Sequence, residues 1–407
     1  MNTLLSVGDA RRRVLRSWLL VITQAVLFGF WLTLPFTKFR VASVGFSEVF
    51  GVLAVALVAC AVRIAFKGLS LALFSVHVLI CVFTAVRVLG GEGDFGGALR
   101  DMVAVSYSMI VAIAIVNLYA AERSLLLFSS VGIRFSIYLS MLAMLFSIAS
   151  PGAIDVWFAP TADDVAELVV SEGQSIFPRF VGFSTNPNQF AFYIVFAMFF
   201  CLMINFRIEK IFGSVEAAVF IVSCLVLLIA TQSDAALLAV AAGAFFLVAR
   251  RYFFNGGPVS AVSGYLAACF AGSAVSLLWA WGLGDDSGNG RLVIWLDAIE
   301  VVDKANGLGL GYGAHVPGDF GHYHETHSFL LDFLVFGGVI GGLFLVFIVF
   351  LHLRVIFSSA DSWLVVASFA ALVFCLTYSP FRHPIFWIAL ILPFSLRREL
   401  ALGIRDA

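Results

Sequence analysis

The chain has 407 residues, of which 62% are hydrophobic and 12% charged, with a formal net charge of −1 and a mean hydropathy of +1.04. A soluble domain is about half apolar and about a quarter charged, so a water-soluble globular enzyme is excluded. Nothing in the charge suggests nucleic acid as a partner, because such a surface needs excess cations to displace counterions from phosphates.

Forty-three Phe, eight Trp and 35 Gly against ten Pro fit bundled membrane helices; a barrel would show short alternating strands where this chain has long apolar runs. The expected fold class is an all-α polytopic membrane protein. About twelve runs approach the length needed to cross a bilayer. In chain order they cover 17–34, 46–62, 69–89, 102–120, 131–150 and 188–204, then 215–230, 235–248, 262–283, 328–353, 363–378 and 384–396. The eighth and the last are short, which leaves the expected count at 10–12. All six cysteines, Cys60, Cys81, Cys201, Cys224, Cys269 and Cys375, lie inside these runs and read as small buried hydrophobes.

Lys and Arg are retained on the cytoplasmic side of short loops. With the N-terminus inside, fifteen of the 24 basic residues fall at cytoplasmic ends, among them Arg11, Arg12, Arg13 and Arg16. Both termini are therefore expected in the cytoplasm. The first run exceeds the usual core of a secretory signal, and Pro35, Phe36, Thr37 and Lys38 after it make no small-residue cleavage site, so it reads as a retained helix. Two long polar segments stand on the outer face, 151–186 and 284–326. Long polar segments in a chain of otherwise short loops are where function is expected.

The first of these ends in Arg179-Phe180-Val181-Gly182-Phe183-Ser184-Thr185-Asn186-Pro187-Asn188. Asn186 suits an N-cap and Pro187 the first helical position, so a helix is expected to begin there with its N–H groups facing outward. Such an end attracts anions, and Arg179 can fold over the same point to make a phosphate site; the alternative is an ordinary cap beside an interfacial anchor. Further along, Thr231-Gln232-Ser233-Asp234 forms an outer turn. Asp234 either orients a cation there or caps the following helix, with capping slightly favoured.

In the second polar segment Arg291 opens an amphipathic stretch that carries Trp295 and runs to Val302. An arginine there can grip a diphosphate through its planar fork, or it is simply a surface residue. The run Gly307-Leu308-Gly309-Leu310-Gly311-Tyr312-Gly313 fails the dinucleotide spacing apart from a weak match ending at Ala314. It reads as a flexible connector able to approach a ligand closely. His315, His322, His324 and His327 fall within thirteen residues, next to Glu325. Their spacing matches no zinc motif and no cysteine is near, so a single imidazole acting as general base is preferred. His327 is the best candidate because the apolar helix begins directly after it; His322 and His324 more naturally line a loop. Gly337 with Gly341, and Gly338 with Gly342, predict close packing of that helix against a neighbouring one. Arg134, Glu216 and Asp332 lie in or near spans and are expected to face the protein interior or an aqueous cavity.

Read together, Arg179 to Gly182 with Asn186-Pro187-Asn188, Arg291 with Trp295 and the glycine run, and Thr326-His327-Ser328 with the glycine-containing helix resemble the O-antigen ligase and polysaccharide polymerase (Wzy) family. The resemblance covers roughly residues 179–350. It implies a GT-C-like, metal-independent, inverting glycosyltransferase of the bacterial inner membrane, working without a cofactor at the periplasmic face. The implied partners are an undecaprenyl-diphosphate-linked glycan donor, a glycan or lipid A core acceptor and the lipid bilayer; a polymerase would add a chain-length regulator. The implied catalytic residues are His327 and Arg291, with Arg179, Asn186, Asn188, Asp234 and His324 expected at the substrate and no metal ligand among them. The family often has a Ser-Arg pair where this chain has Ser233-Asp234, which puts a second arginine at that turn in doubt. Along the chain, this gives N-terminal helices and a first outer loop over 1–178, a ligase/polymerase-like core over 179–353 including the loop 284–326 between the ninth and tenth helices, and C-terminal helices with a cytoplasmic tail over 354–407. Polymerase is favoured over ligase, and a flippase or other transporter is the alternative from another class.

Overall fold

Backbone N–H and C=O groups in lipid must be bonded within the protein, and long unbroken apolar runs achieve this as helices, which bond within their own segment. The computed structural model describes residues 2–41, 44–61, 69–91, 94–149, 179–252, 291–314, 316–317, 323–324, 328–358, 363–376 and 378–403. In chain order the helices are α1 (Asn2–Thr33), α2 (Phe46–Ala61), α3 (Leu69–Leu89), α4 (Phe95–Ala121), α5 (Ser124–Ala149), α6 (Pro187–Arg207), α7 (Ser214–Thr231) and α8 (Asp234–Tyr252). They continue with α9 (Arg291–Lys304), α10 (Phe329–Ser358), α11 (Trp363–Cys375) and α12 (Pro384–Gly403). Two antiparallel strand pairs of two residues each, β1 (Arg40–Val41) with β2 (Val44–Gly45) and β3 (Val316–Pro317) with β4 (Tyr323–His324), complete the described residues.

The molecule is an all-α polytopic membrane protein. Among the described residues six helices are long and apolar enough to cross a membrane, and five shorter apolar helices accompany them. Eleven of the twelve apolar runs coincide with these helices; the ninth, 262–283, lies outside the described residues. The cysteine reading needs one correction. Cys201, Cys224 and Cys375 are buried, but Cys81 is only half-buried and Cys60 is exposed on α2, on a face with exposed Val49, Val52 and Leu53; Cys269 lies outside the described residues.

Two compact units are present: residues 1–65 with 114–233, and 66–113 with 234–407. In the first, glycine lets α1 lie against its neighbours, since a Cβ at Gly132 of α5 would stand 2.6 Å from the Phe28 carbonyl oxygen and one at Gly29 would overlap the Phe50 ring. Trp31 occupies the centre. Its ring stacks on Phe196 and Phe200 of α6 at 5.7 Å, and its indole N–H donates to the Tyr119 hydroxyl at 2.8 Å, which donates onward to Ser129. Each such bond contributes about 1 kcal/mol net, and far more would be lost if a buried partner were orphaned. Tyr193 donates to the Trp31 carbonyl at 3.1 Å and shares a hydrogen bond with Ser136. Arg134 and Glu216 answer one another at 2.8 Å, with the guanidinium 5.0 Å from the centre of the Phe212 ring.

In the second unit α8 packs along α11, with Phe246 on Phe369 at 4.8 Å. Here α10 departs from expectation. It is broken at Gly338 (φ 59, ψ −151), and a Cβ at Gly341 would lie 2.4 Å from the Phe333 carbonyl oxygen, eight residues back, so the two halves meet at a sharp bend. The close approach at these glycines is therefore made by a loop, described next, and by the helix's own preceding turns. It is not the packing of one straight helix on another that their spacing predicts.

Candidate functional site

In the first unit the segment 179–186 joins the C-terminal end of α7 to the N-terminal end of α6. The Phe180 N–H donates to the Ala230 carbonyl at 2.8 Å, and Arg179 Nε donates to the Thr231 carbonyl at 3.0 Å. A cation at those last carbonyls is favoured by the helix dipole. The same guanidinium donates through Nη2 to Asn188 Oδ1 at 3.1 Å. Asn186 is the N-cap of α6, its side chain accepting from the backbone N–H of Asn188 at 2.8 Å and of Gln189 at 3.4 Å, with Pro187 in the first turn. Arg179, Asn186 and Asn188 are thus brought together.

Neighbours that sequence reasoning did not single out complete this end of the unit. The Lys38 backbone N–H donates to the Phe183 carbonyl at 3.1 Å, and Phe36 stacks on Phe183 at 4.3 Å. Thr37 accepts from the Thr185 N–H at 2.9 Å and lies 3.3 Å from the Ser184 and Thr185 hydroxyls; Ser184 donates to Gln189 at 3.1 Å. Partial burial holds the Lys38 ammonium below its ordinary pKa even though much of the side chain is exposed. The result is a rim of cations, hydroxyls and amides around one helix start.

The second unit holds the other candidates. Arg291 is the first residue of α9, whose Ala298 and Val302 pack on Val335 of α10. His324 lies in β4, paired with Val316. Asp234 is the exposed first residue of α8, so its carboxylate sits in the first helical turn and not ahead of it as a cap. His327, His315 and His322 lie outside the described residues; Ser328, which follows His327 in sequence, is buried at the start of α10, its carbonyl accepting from the Asp332 N–H.

The glycine run is not a flexible connector. Its backbone is laid into the break in α10: Leu310 N–H donates to the Val335 carbonyl at 2.6 Å, Gly311 N–H to the Phe336 carbonyl at 3.0 Å, and Val339 N–H to the Gly307 carbonyl at 2.8 Å. These bonds satisfy groups that the interrupted helix leaves open. Gly307, Gly309, Gly311 and Gly313 all have positive φ, and a Cβ at Gly309 would stand 2.3 Å from the Gly338 nitrogen. Side chains then fasten the loop. Arg87 donates to the Gly309 carbonyl at 2.8 Å, Thr84 accepts from the Tyr312 N–H at 2.9 Å, and the Tyr312 hydroxyl bonds His77, which also bonds Ser106 at 2.7 Å.

One further cluster escaped sequence reasoning. In the connection between α11 and α12, Arg382 Nη2 lies 2.9 Å from both carboxylate oxygens of the buried Asp101 of α4, and Arg100 Nε lies 3.7 Å from one of them. Ser108 donates to the Arg382 carbonyl at 2.6 Å, Ser379 donates to Asp332, and Trp387 donates to the Phe381 carbonyl at 2.8 Å. Burial lowers the pKa of His383 to about 4, so it is neutral near pH 7. The basic pair Arg382-His383 in the short connection ahead of Pro384 was the available signal. Comparisons with protein-family models, with curated proteins and with solved structures give no match.

Proposed function

We propose that this protein is a membrane glycosyltransferase of GT-C-like architecture with about twelve spans, which takes a glycan from a polyprenyl-diphosphate carrier and joins it to another glycan at the outer face of the bacterial inner membrane. The observation that supports this reading is the rim around Arg179. A guanidinium bonded to the last carbonyl of one helix and to Asn188 in the first turn of another, at a helix start that also carries Thr37, Thr185 and Gln189, suits a ligand that is both anionic and rich in hydroxyls.

In the proposed reaction an acceptor hydroxyl attacks the anomeric carbon of the donor sugar. The bond from that carbon to the diphosphate oxygen breaks, its electron pair leaves with the lipid diphosphate, and the hydroxyl proton passes to His327. Arg291 offsets the charge that develops on the leaving group. In purified protein supplied with lipid-linked donor, His327→Ala is expected to abolish transfer while donor binding persists; full activity in that variant would reject the assignment. Polymeric product would indicate a polymerase, and transfer of one finished glycan to a lipid A core acceptor would indicate a ligase.

A second reading, transport of a lipid-linked glycan, is favoured by a specific observation. A helix broken at Gly338 with polar His77, Tyr312 and Ser106 nearby inside an apolar unit matches the discontinuous helices found at transporter binding sites. Bond formation without any gradient separates the two.

A further inference from the structure

The break in α10 and the glycine loop fit each other bond for bond. In an unbroken helix the Val339 N–H would donate to the Val335 carbonyl and the Ile340 N–H to the Phe336 carbonyl. Here the Val339 N–H donates to the Gly307 carbonyl at 2.8 Å, while the Val335 carbonyl accepts from Leu310 at 2.6 Å and the Phe336 carbonyl from Gly311 at 3.0 Å. The loop thus supplies both halves of one helical bond and the donor of a second. Buried backbone groups must be paired in any stable state, and this pairing has two solutions. Either the loop is seated in a bent helix, or the helix is straight on its own ladder with the loop outside.

Glycine sits where the two solutions differ. Gly338 has φ 59 and ψ −151, a region that is essentially glycine's alone, yet glycine also takes helical angles. A Cβ at Gly309 would stand 2.3 Å from the Gly338 nitrogen and one at Gly341 2.4 Å from the Phe333 carbonyl oxygen, so neither the seating nor the bend has room for a side chain. One helix, α3, holds the loop in place. Thr84 accepts from the Tyr312 N–H at 2.9 Å and Arg87 donates to the Gly309 carbonyl at 2.8 Å. The buried Tyr312 hydroxyl lies 2.9 Å from His77 Nδ1, and His77 Nε2 lies 2.7 Å from the Ser106 hydroxyl of α4. The Thr84 and His77 bonds join neutral groups, each of modest net strength, so the seated state is held without being locked.

We infer that residues 307–313 and α10 form a two-state latch. Release of the loop from His77, Thr84 and Arg87 lets α10 close the Val339–Val335 bond and straighten; reseating bends it again. Two discrete pairings of the same groups are what a switching element requires. His77, acting through Tyr312, is a positioning residue for the seated state. α9 runs into the latch through Asn306 (φ 52), so Arg291 at the head of α9 moves with it. The latch does not depend on the glycan chemistry proposed above.

The test is hydrogen–deuterium exchange of the purified full-length protein in detergent, resolved at the Leu310, Gly311 and Val339 amides. A latch opens at the loop while α10 stays paired, so in the wild type Leu310 and Gly311 are expected to exchange about tenfold faster than Val339, or more. Tyr312→Phe removes only the hydroxyl and is expected to speed exchange at Leu310 and Gly311 about fivefold, the worth of one neutral hydrogen bond, with Val339 unchanged. His77→Leu is expected to match it, and His77→Gln, which can still bond a hydroxyl, to restore part of the protection. Gly338→Ala favours the straight helix and is expected to give the largest rise at the loop with Val339 still protected. Loop and α10 amides that exchange at one common rate in the wild type would overturn the inference, because the two would then open as a single unit; that comparison decides even where a variant fails to fold. A rise at Val339 equal to that at Leu310 in Tyr312→Phe would overturn it as well. Wild-type protein with the expected exchange pattern but no glycan transfer would remove the glycosyltransferase reading and leave the latch.

Discussion

Arg179 illustrates how a single side chain can take two tasks. It donates to the Thr231 carbonyl and to Asn188, so it closes the end of α7 and stands over the start of α6 together. Lysine would retain the charge but not the geometry of two bonds made in one plane. Loss of one bond from a charged donor is worth about 1.5 kcal/mol, which is about tenfold in affinity. Arg179→Lys is therefore expected to weaken donor binding by about that factor, measured by titration with farnesyl diphosphate; equal affinity would show that Arg179 is a structural clasp only. His383 makes a different prediction. Its imidazole is held at about 4 by burial, against 6.5 for an ordinary one. Between those values the unfolded chain takes up a proton that the folded one refuses, so this contribution is complete above pH 6.5 and is lost as pH falls toward 4. The thermal midpoint in detergent is expected to drop between pH 7 and pH 5, and to drop less in His383→Gln. Equal drops would contradict the assignment.

Individual elements show which parts of the fold could be read from the sequence. The start of α6 was readable because capping is local: an Asn followed by Pro ahead of an apolar run specifies the bond pattern seen at Asn186. The bend in α10 was not. Glycine spacing reports that backbones approach closely, but not whether the approaching backbone is a helix or a loop. Leu308 to Gly313 reaches the break at Gly338 through pairings such as Leu310 with Val335 and Gly311 with Phe336, which no periodicity encodes. The consequence is testable. A Cβ at Gly338 would stand 2.2 Å from the Gly307 carbonyl oxygen at a φ of +59, and a left-handed backbone alone costs a residue with a side chain about 1–2 kcal/mol. Gly338→Ala is expected to lower stability by ~2 kcal/mol or more and to increase proteolysis after Leu308. Gly337→Ala, where the nearest atom is Ile80 Cδ1 at 3.5 Å, is expected to cost little. Similar effects of the two substitutions would contradict the inserted loop.

At the scale of the whole molecule, composition and the length of the apolar runs identified a helical membrane protein, because backbone in lipid is satisfied only in helices or closed barrels and these runs are too long and unbroken for barrel strands. The candidate site was readable where its parts are neighbours in sequence, as Arg179, Asn186 and Asn188 are. It was unreadable where the partners are far apart: Arg382 and Asp101 are separated by 281 positions, and hydropathy shows that a charge in an apolar run needs a partner without showing which one. The sharpest test of the central claim uses proteoliposomes with no ion gradient, loaded with lipid-diphosphate-linked donor and acceptor. Free lipid diphosphate and new glycosidic bonds should appear in equal amounts, with inversion at the anomeric carbon. Donor that crosses the bilayer while its glycosidic linkage to diphosphate stays intact would contradict the claim.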